Sequence, residues 1–154
     1  MSPSTSRTHS LMPDQPFETL QKMPITIEKD KVLVVDDVKI NRVLARAYLE
    51  LLGWKVDECA SGQAVLDYAR DKVPECILLD IQMPDIDGIE IVKILRQTWP
   101  VGMVKIVAYT AHAIPEEVAH IRASGFDELL IKPIILQDVS AIFGARQSGK
   151  TTLN

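Results

Sequence analysis

Two short apolar runs that each end in acid constrain the fold more than any other feature of this sequence. The run Cys76–Leu79 is followed at once by Asp80, and the run Val32–Val35 is followed by Asp36 and Asp37. An uninterrupted apolar run of strand length is typical of a strand that is covered on both faces. The sequence therefore predicts two buried strands that each deliver carboxylates to a loop at the strand tip.

Strand-like and helical patterns alternate along the rest of the chain. Apolar residues recur at helical spacing from Ile40 to Leu51, Ser61 suits the N-cap of a second helix, and Pro115 suits a first helical turn. Pro74 is expected to close the connection that precedes the third strand. The five predicted strands are Val32–Val35, Trp54–Cys59, Cys76–Asp80, Val104–Tyr109 and Leu129–Ile131. The five predicted helices are Ile40–Leu51, the segment from Ser61 to Ala69, Gly88–Thr98, the segment from Pro115 to Ser124, and Leu136–Phe143.

This alternation predicts an α/β fold, a doubly wound five-stranded parallel sheet flanked by five helices. In such sheets, sites form beyond the carboxyl ends of the strands. Several polar residues stand at those ends and are expected to converge, namely Asp36, Asp37, Asp80, Thr110 and Lys132.

The converging groups have the chemistry of a phosphoryl-transfer site. Clustered carboxylates repel one another unless a cation offsets their charge, and Mg²⁺ prefers such oxygen ligands. Lys132 adds a positive charge, and the Thr110 hydroxyl can donate to an anionic oxygen. Asp80 is the best candidate nucleophile, because a carboxylate can carry a covalent phosphoryl group.

Four motifs, in this order, resemble the receiver domain of two-component response regulators. The resemblance covers residues 31–143. The motifs are Val34-Val35-Asp36-Asp37, the run from Leu79 to Gly88 (Leu-Asp-Ile-Gln-Met-Pro-Asp-Ile-Asp-Gly), Tyr109-Thr110-Ala111-His112-Ala113, and Ile131-Lys132-Pro133.

The resemblance implies the strand order 2-1-3-4-5 and a role for each site residue. Asp80 would accept a phosphoryl group from a histidine kinase or a histidine phosphotransfer protein, and Thr110 and Lys132 would contact that group. The Lys132-Pro133 peptide would be cis. The implied Mg²⁺ ligands are Asp37, Asp80 and the backbone carbonyl of Gln82, with Asp36 assisting. His112, together with Gln82, would tune the rate at which the phosphate hydrolyses.

The resemblance also implies how the signal is passed on, with one departure. The output surface would be the face formed by the fourth helix, fifth strand and fifth helix, which would dock a downstream protein effector. The family usually has Tyr or Phe three residues before the lysine, where this chain has Leu129. A readout by rotation of an aromatic ring is therefore not expected here. Movement of the loop 111–115 and of the fourth helix is expected in its place.

Composition excludes several classes of protein. A net charge of −4 and a pI near 5.4 argue against a nucleic-acid partner. The chain has no apolar run long enough for a membrane span and no secretory signal, so a cytoplasmic protein is expected. Cys59 and Cys76 fall on separate predicted strands, which favours buried free thiols over a disulfide framework or a zinc site.

Both ends of the chain are predicted to be tails. Residues 1–29 are rich in Pro and Ser and are expected to be flexible, residues 30–144 form the receiver domain, and residues 145–154 are expected to be disordered. The run Gly144–Thr151 matches the P-loop pattern. It follows a predicted helix instead of joining a strand to a helix, so we reject it as a nucleotide site.

Three classes of function remain at this point. The first is a phosphorylation-switched signalling module that is no enzyme in the ordinary sense but assists its own phosphorylation and dephosphorylation. The second is a Mg²⁺-dependent phosphatase of the haloacid dehalogenase type, which would require Asp-x-Asp where this chain has adjacent Asp36 and Asp37. The third is a binding scaffold with inactive acids, against which intact Thr110 and Lys132 argue. A stand-alone receiver and a receiver fragment of a hybrid histidine kinase both fit the first class.

Overall fold

Strands and helices alternate throughout residues 26–146, the part of the chain that the computed structural model describes. The strands are β1 (Ile27–Val35), β2 (Lys55–Cys59), β3 (Val73–Asp80), β4 (Lys105–Thr110) and β5 (Glu128–Ile131). The helices are α1 (Lys39–Leu51), α2 (Gly62–Tyr68), α3 (Gly88–Thr98), α4 (Pro115–Ala123) and α5 (Leu136–Phe143). All paired strands are parallel, in the order β2-β1-β3-β4-β5, which confirms the predicted fold class and strand order.

The sheet separates two apolar cores, because successive side chains of a strand point to opposite faces. In β1, Leu33 and Val35 belong to the core beneath α2, α3 and α4, while Val32 and Val34 belong to the core beneath α1 and α5. All four are fully buried. This two-sided burial explains why β1 appears in the sequence as a continuous apolar run. Cys59 and Cys76 are buried free thiols on β2 and β3, as predicted.

Two strands begin earlier than the sequence pattern indicated. β1 starts at Ile27, where Ile27 pairs with Val73, and Pro74 lies inside β3 opposite Glu28. Both early segments were missed because charged residues and a proline interrupt the apolar pattern. Pro74 is tolerated there because it is close to the start of its strand. Residues 27–29 are therefore part of the sheet and not of the predicted tail, whereas residues 1–25 lie outside the described part of the chain.

The chain beyond α5 is held against the edge of the sheet where the strands begin. The Trp54 indole Nε1 donates a 2.8 Å hydrogen bond to the carbonyl of Gly144, and the Arg146 amide donates one of 2.6 Å to the carbonyl of Leu52. A Cβ on Gly53, whose φ is +95°, would collide with the carbonyl oxygen of Arg146. The predicted C-terminal tail begins at residue 145. In the structure these contacts hold the chain against the domain as far as Arg146.

Charge pairing reinforces this closure. The Arg146 guanidinium lies 4.3 Å from the centroid of the Trp54 ring and forms ion pairs with Glu75 and, at 3.6 Å, with Asp30. The Asp30 amide in turn donates a 2.7 Å hydrogen bond to Glu75 Oε1. We refer to Arg146 and these three partners as the Arg146 clamp. Residues 147–154, with most of the P-loop-like run, lie outside the described part of the chain.

Candidate functional site

The five polar residues at the strand ends meet at one edge of the sheet. Asp36 follows β1, Asp80 ends β3, Thr110 ends β4, and Lys132 follows β5. Because β1, β3, β4 and β5 are neighbours in the sheet, their carboxyl ends are adjacent. Asp36, Asp80 and Thr110 are almost completely buried, with exposed fractions of 0%, 2% and 3%. Asp37 is exposed beside them.

Three carboxylates form the floor of the site. One oxygen from each of Asp36, Asp37 and Asp80 lies within 4.8 Å of the other two. The Val38 amide donates a 2.8 Å hydrogen bond to Asp36 Oδ1, which fixes that side chain at the strand tip. Asp36 Oδ2 is buried and accepts no hydrogen bond from the described residues. A buried anionic oxygen with no hydrogen bond is costly, so this oxygen is suited to a cation ligand.

Lys132 places its ammonium group between two of these acids. Its Nζ lies 3.2 Å from Asp36 Oδ2 and 3.2 Å from Asp80 Oδ1, and only the second contact is aligned as a hydrogen bond. The same nitrogen sits 4.5 Å from the centroid of the buried Tyr109 ring, which supports it from below. Tyr109 had no predicted role at the site. In the sequence, an aromatic residue at the end of a predicted strand indicates packing in the core and does not indicate a contact with Lys132.

The electrostatics of the cluster act on Asp80. Burial raises the pKa of Asp80 to about 6, and the adjacent negative charge of Asp36 contributes to the rise. Lys132 and a 3.2 Å hydrogen bond from the Gln82 amide to Oδ1 oppose it. The single ammonium therefore only partly offsets the clustered acids, and a further cation would favour the ionised form of Asp80.

Thr110 connects the site to the loop that precedes α4. Its backbone carbonyl accepts a 2.7 Å hydrogen bond from the Lys132 amide, and its Oγ1 accepts one of 3.1 Å from the His112 amide. The hydroxyl proton remains available to a bound anion. Across the mouth of the site, the side chains of Gln82 and His112 approach to 3.3 Å. These two residues are thus neighbours that link the β3–α3 and β4–α4 loops.

The loop after Asp80 is fixed at both of its ends. Asp87 caps α3 by accepting a 2.9 Å hydrogen bond from the Glu90 amide, and a Cβ on Gly88 would lie 2.5 Å from the carbonyl oxygen of Asp80. The Asp85 carboxylate accepts hydrogen bonds from the Gly62 and Gln63 amides, at 3.1 and 3.0 Å, and these bonds join the loop to the start of α2. Asp87 and Gly88 therefore fix the position of this loop and also mark the point where it ends and α3 begins.

Arg42 is a supporting residue that sequence reasoning missed. Its Nη1 donates a 2.8 Å hydrogen bond to the backbone carbonyl of Asp36, and its Nε donates one of 2.9 Å to Glu58 on β2. Arg42 thereby ties the first turn of α1 to the strand tip that carries the acids. An arginine on an exposed helix face gave no sequence signal for this role, because the contact depends on how α1 crosses the sheet.

The remaining residues singled out from the sequence lie as follows. The Lys132-Pro133 peptide is cis, as the resemblance implied. Leu129 is half-buried on β5 and packs against the core beneath α2, α3 and α4. Ser61 caps α2 by accepting a 3.1 Å hydrogen bond from the Ala64 amide.

The residues present fit a Mg²⁺ ion. Three carboxylates converge, one of their buried oxygens accepts no hydrogen bond from the described residues, and hard carboxylate oxygens are the ligands that Mg²⁺ takes in proteins.

An acidic cluster opposite a lysine and a threonine agrees with the resemblance to receiver domains. The family model described as "Response regulator receiver domain" matches residues 32–143. The chain belongs to this family.

The curated relatives of this chain include a protein described as a response regulator and one described as a sensor protein. The chain is 34% identical over 103 residues to the polar-differentiation response regulator DivK of Brucella ovis, covering 67% of this chain and 84% of that protein. It is also 34% identical over 112 residues to the aerobic respiration control sensor protein ArcB of Escherichia coli K12, covering 72% of this chain. The match covers only 14% of ArcB.

Solved receiver structures share the fold. The chemotaxis response regulator CheY4 of Vibrio cholerae superposes with a TM-score of 0.67 at 29% identity, covering 72% of this chain and 92% of that one. A two-component response regulator from Clostridium difficile gives a TM-score of 0.66 at 27% identity, covering 72% and 89%. The strand order and the five helices are those of a CheY-like fold.

Family membership establishes the class of function. Receiver domains are phosphoacceptor modules of two-component signalling, and they work with a histidine kinase or a phosphotransfer protein. They typically bind Mg²⁺ at an acidic pocket such as the one formed here. The dehalogenase-type phosphatase is accordingly not favoured. Among residues 26–146, no helix has the length and apolar character needed to cross a bilayer.

Proposed function

We propose that this receiver takes a phosphoryl group from a phosphohistidine donor onto Asp80. The observation that carries the proposal is the environment of that carboxylate. Asp80 is 2% exposed, its Oδ1 is held by the Lys132 ammonium and the Gln82 amide, and two further acids lie beside it. A buried carboxylate fixed in this way, at the mouth of a cation-binding cluster, is equipped to act as a nucleophile.

The transfer is one exchange of bonds at phosphorus. A carboxylate oxygen of Asp80 forms the new O–P bond while the N–P bond to the donor imidazole breaks, and the imidazole nitrogen takes the electron pair. The Lys132 ammonium, already 3.2 Å from Asp80 Oδ1, would stabilise the charge on the transferring group. The Thr110 hydroxyl would donate to one of the phosphoryl oxygens.

Asp36, Asp37, Asp80 and the backbone carbonyl of Gln82 would hold Mg²⁺. When bound, the ion supplies positive charge that offsets the acids and the phosphoryl oxygens. Within the protein, Asp36 is pre-positioned for this role because the Val38 amide and the Arg42 guanidinium fix its side chain and its carbonyl.

Exposed apolar residues around the acidic site favour a protein as the phosphodonor. Val38 is 45% exposed, Ile40 68%, Ile114 54% and Ile135 49%, and all four lie in or beside the loops at the carboxyl ends of the strands. Large apolar side chains around a polar centre are typical of a docking surface. A phosphotransfer or kinase domain with an apolar surface around its histidine would fit this surface.

The output is proposed to pass through the loop 111–115 and α4. Phosphorylation would draw Thr110 toward the phosphoryl oxygens, and the His112 amide bonded to Thr110 Oγ1 would transmit that displacement to the loop. Leu129 has no ring to reorient, so β5 is assigned a minor part. The affected surface of α4, β5 and α5 would then change its affinity for a protein effector. The role is that of a signalling domain that assists its own phosphorylation and dephosphorylation, either as a separate receiver or as the receiver of a hybrid kinase.

The decisive experiment is labelling of the Asp80→Asn variant with the small phosphodonor acetyl phosphate in the presence of Mg²⁺. The near-isosteric change removes the nucleophile and should lower labelling by at least about a hundredfold. Intact-mass spectrometry measures the phosphorylated fraction, and the loss of label in mild base identifies an acyl phosphate. Asp71→Asn, at an exposed acid between α2 and β3, is the matched control and should label like the wild type. Undiminished labelling of Asp80→Asn would refute the proposal.

A further inference from the structure

A cavity of about 260 Å³ lies beneath α4 and opens beside the phosphoacceptor site. Its apolar floor is formed by Ile81, Ile89 and Ile121. Thr110, which is 3% exposed, forms part of the wall, so the cavity reaches the residue proposed to contact the phosphoryl group. Glu116 and Glu117, both exposed in the first turn of α4, stand at the opening to solvent.

The cavity exists because α4 packs loosely on the sheet. Ile121 is the one residue of α4 that is buried, whereas α3, the neighbouring helix on the same face, buries Gly88 and three large apolar residues. An acid in a first helical turn is explained by the helix dipole alone. The dipole does not explain an apolar hollow that leads from these two acids to Thr110.

The charges at the opening are available to a ligand. Among residues 26–146, no Lys, Arg or His nitrogen lies within 4 Å of a carboxylate oxygen of Glu116 or Glu117. The exposed His120 lines the same cavity without forming an ion pair with either acid. The apolar floor and the two acids at the rim are complementary to a hydrocarbon stem that ends in a cation. Lysine and arginine side chains have that form, because they bury the stem and keep the charged group near water.

The size of the cavity identifies the source of such a group. Pockets for small-molecule ligands usually enclose about 300–1,000 Å³, and this one is below that range. A cavity of this size admits a single long side chain. Gln82 also lines the cavity, and the exposed Ile114 directly precedes α4 in the chain, on the edge where a protein would dock.

We propose that this cavity receives an arginine or lysine side chain from a protein that docks on α4, with its stem on the three isoleucines and its cation between Glu116 and Glu117. The filled cavity would hold α4 in its present position and would restrict the space into which Thr110 can move. This consequence for signalling rests on the proposed function, whereas binding itself does not. Occupancy can therefore be measured on the unphosphorylated chain, with no phosphodonor present.

The test uses two blocked amino acids of nearly the same shape, N-acetyl-arginine methylamide and N-acetyl-citrulline methylamide, which differ in charge. Each is titrated into the full chain with saturating Mg²⁺, and backbone amide shifts are followed by NMR. The arginine probe should give saturable shifts at residues 81–82, 89, 110 and 116–121, with an affinity about fivefold to tenfold above that of the citrulline probe. Equal affinities, or an absence of saturable shifts at these residues, would overturn the proposal.

Variants separate local recognition from net charge. The double variant Glu116→Gln/Glu117→Gln should lose the preference for arginine, while Glu90→Gln/Glu128→Gln removes the same charge from exposed sites elsewhere and should retain it. Ile89→Phe should fill the cavity and abolish binding of both probes. An equal loss in the two double variants would show a nonspecific charge effect and would also overturn the proposal. At least about tenfold tighter binding of putrescine than of the arginine probe would identify a free amine as the occupant and refute a protein side chain. None of these results bears on acetyl phosphate labelling of Asp80.

Discussion

The two ends of the strands differ in how their acidic side chains are paired with cations. At the edge where the strands begin, the Arg146 clamp gives each acid a partner, and the guanidinium also stacks on Trp54. At the edge where the strands end, Asp36 and Asp80 share Lys132, the third acid Asp37 lies beside them, and one buried oxygen of Asp36 has no hydrogen bond within the described residues. The first edge holds both of its acids in ion pairs with one arginine, whereas the second sets three acids against one lysine.

The difference separates a stabilising arrangement from a reactive one. Partly exposed ion pairs that are also packed on an aromatic ring contribute modestly but favourably to folding. Buried acids of like charge destabilise the fold until a cation offsets their charge, and such clusters are typical of functional sites. The free energy of unfolding should therefore respond to pH and Mg²⁺ mainly through the site, and to loss of the C-terminal residues through the clamp.

The largest effect is expected when the site is relieved of its charge. The pKa of Asp80 is about 6 in the folded protein against 3.8 for an ordinary aspartate. The folded state therefore retains a proton that the unfolded state has lost, and the wild type loses stability as the pH rises from about 4 to about 6. Each unit of pKa difference corresponds to ~1.4 kcal/mol, so without Mg²⁺ at pH 7.5 Asp80→Asn should be more stable by about 3 kcal/mol.

Urea denaturation of both proteins in EDTA, at pH 3.5 and pH 7.5, measures this difference. The two stabilities should nearly coincide at the lower pH, where Asp80 is protonated in the folded state and about two-thirds protonated in the unfolded state. Addition of Mg²⁺ at pH 7.5 should narrow the gap, because the ion binds only the folded wild type with full affinity. A gap of the same size at both pH values would show that charge is not its cause.

Breaking the clamp should have a smaller effect of the opposite sign. Arg146→Ala removes two ion pairs and the contact with Trp54, and should lower the free energy of unfolding by about 2 kcal/mol. Arg146→Met keeps an aliphatic stem on the ring and should lose only about half of that. Arg70→Ala, at an exposed arginine of the α2–β3 connection, is the control and should change stability by less than about 0.5 kcal/mol. Unfolding curves for all three variants at neutral pH give the comparison, and equal losses for Arg146→Ala and Arg70→Ala would contradict it.

The smallest effect concerns the exposed member of the acidic cluster. Asp37 contributes one of the three convergent carboxylates, and Asp37→Asn keeps an oxygen there but removes its charge. Affinity for Mg²⁺ should fall by about tenfold, equivalent to ~1.4 kcal/mol. Titration calorimetry measures the change. Unchanged affinity would remove Asp37 from the proposed ligands, and Asp71→Asn, at the exposed acid between α2 and β3, controls for general charge.

The site was more predictable than its supports. Asp36, Asp80, Thr110 and Lys132 could be found because each follows an apolar run, and parallel topology brings strand ends together whatever the details of packing. Arg42, Tyr109 and Arg146 could not be found in this way. Their contacts join side chains of one element to groups of another, and an arginine within a helix or beyond the last helix carries no periodic signal for such contacts.

The starts of β1 and β3 were predicted several residues too late for a related reason. Ile27 and Pro74 belong to strands whose first residues are charged or lack an amide proton, so the apolar pattern begins several residues too late. Pairing with a neighbour defines those ends, and pairing is not a property of either segment alone.

The sequence by itself determined the fold class and the polar residues that meet at the candidate site, because both follow from local patterns: apolar runs of strand length, helical spacing, and acids at strand tips. Only the tertiary structure decided the pKa of Asp80, the burial of an Asp36 oxygen that accepts no hydrogen bond from the described residues, the clamp around Arg146 and the cavity beneath α4. Each of these depends on burial and on distances between side chains brought together by the crossing of helices over the sheet. Electrostatic energies vary steeply with both, so the order of residues along the chain cannot determine them.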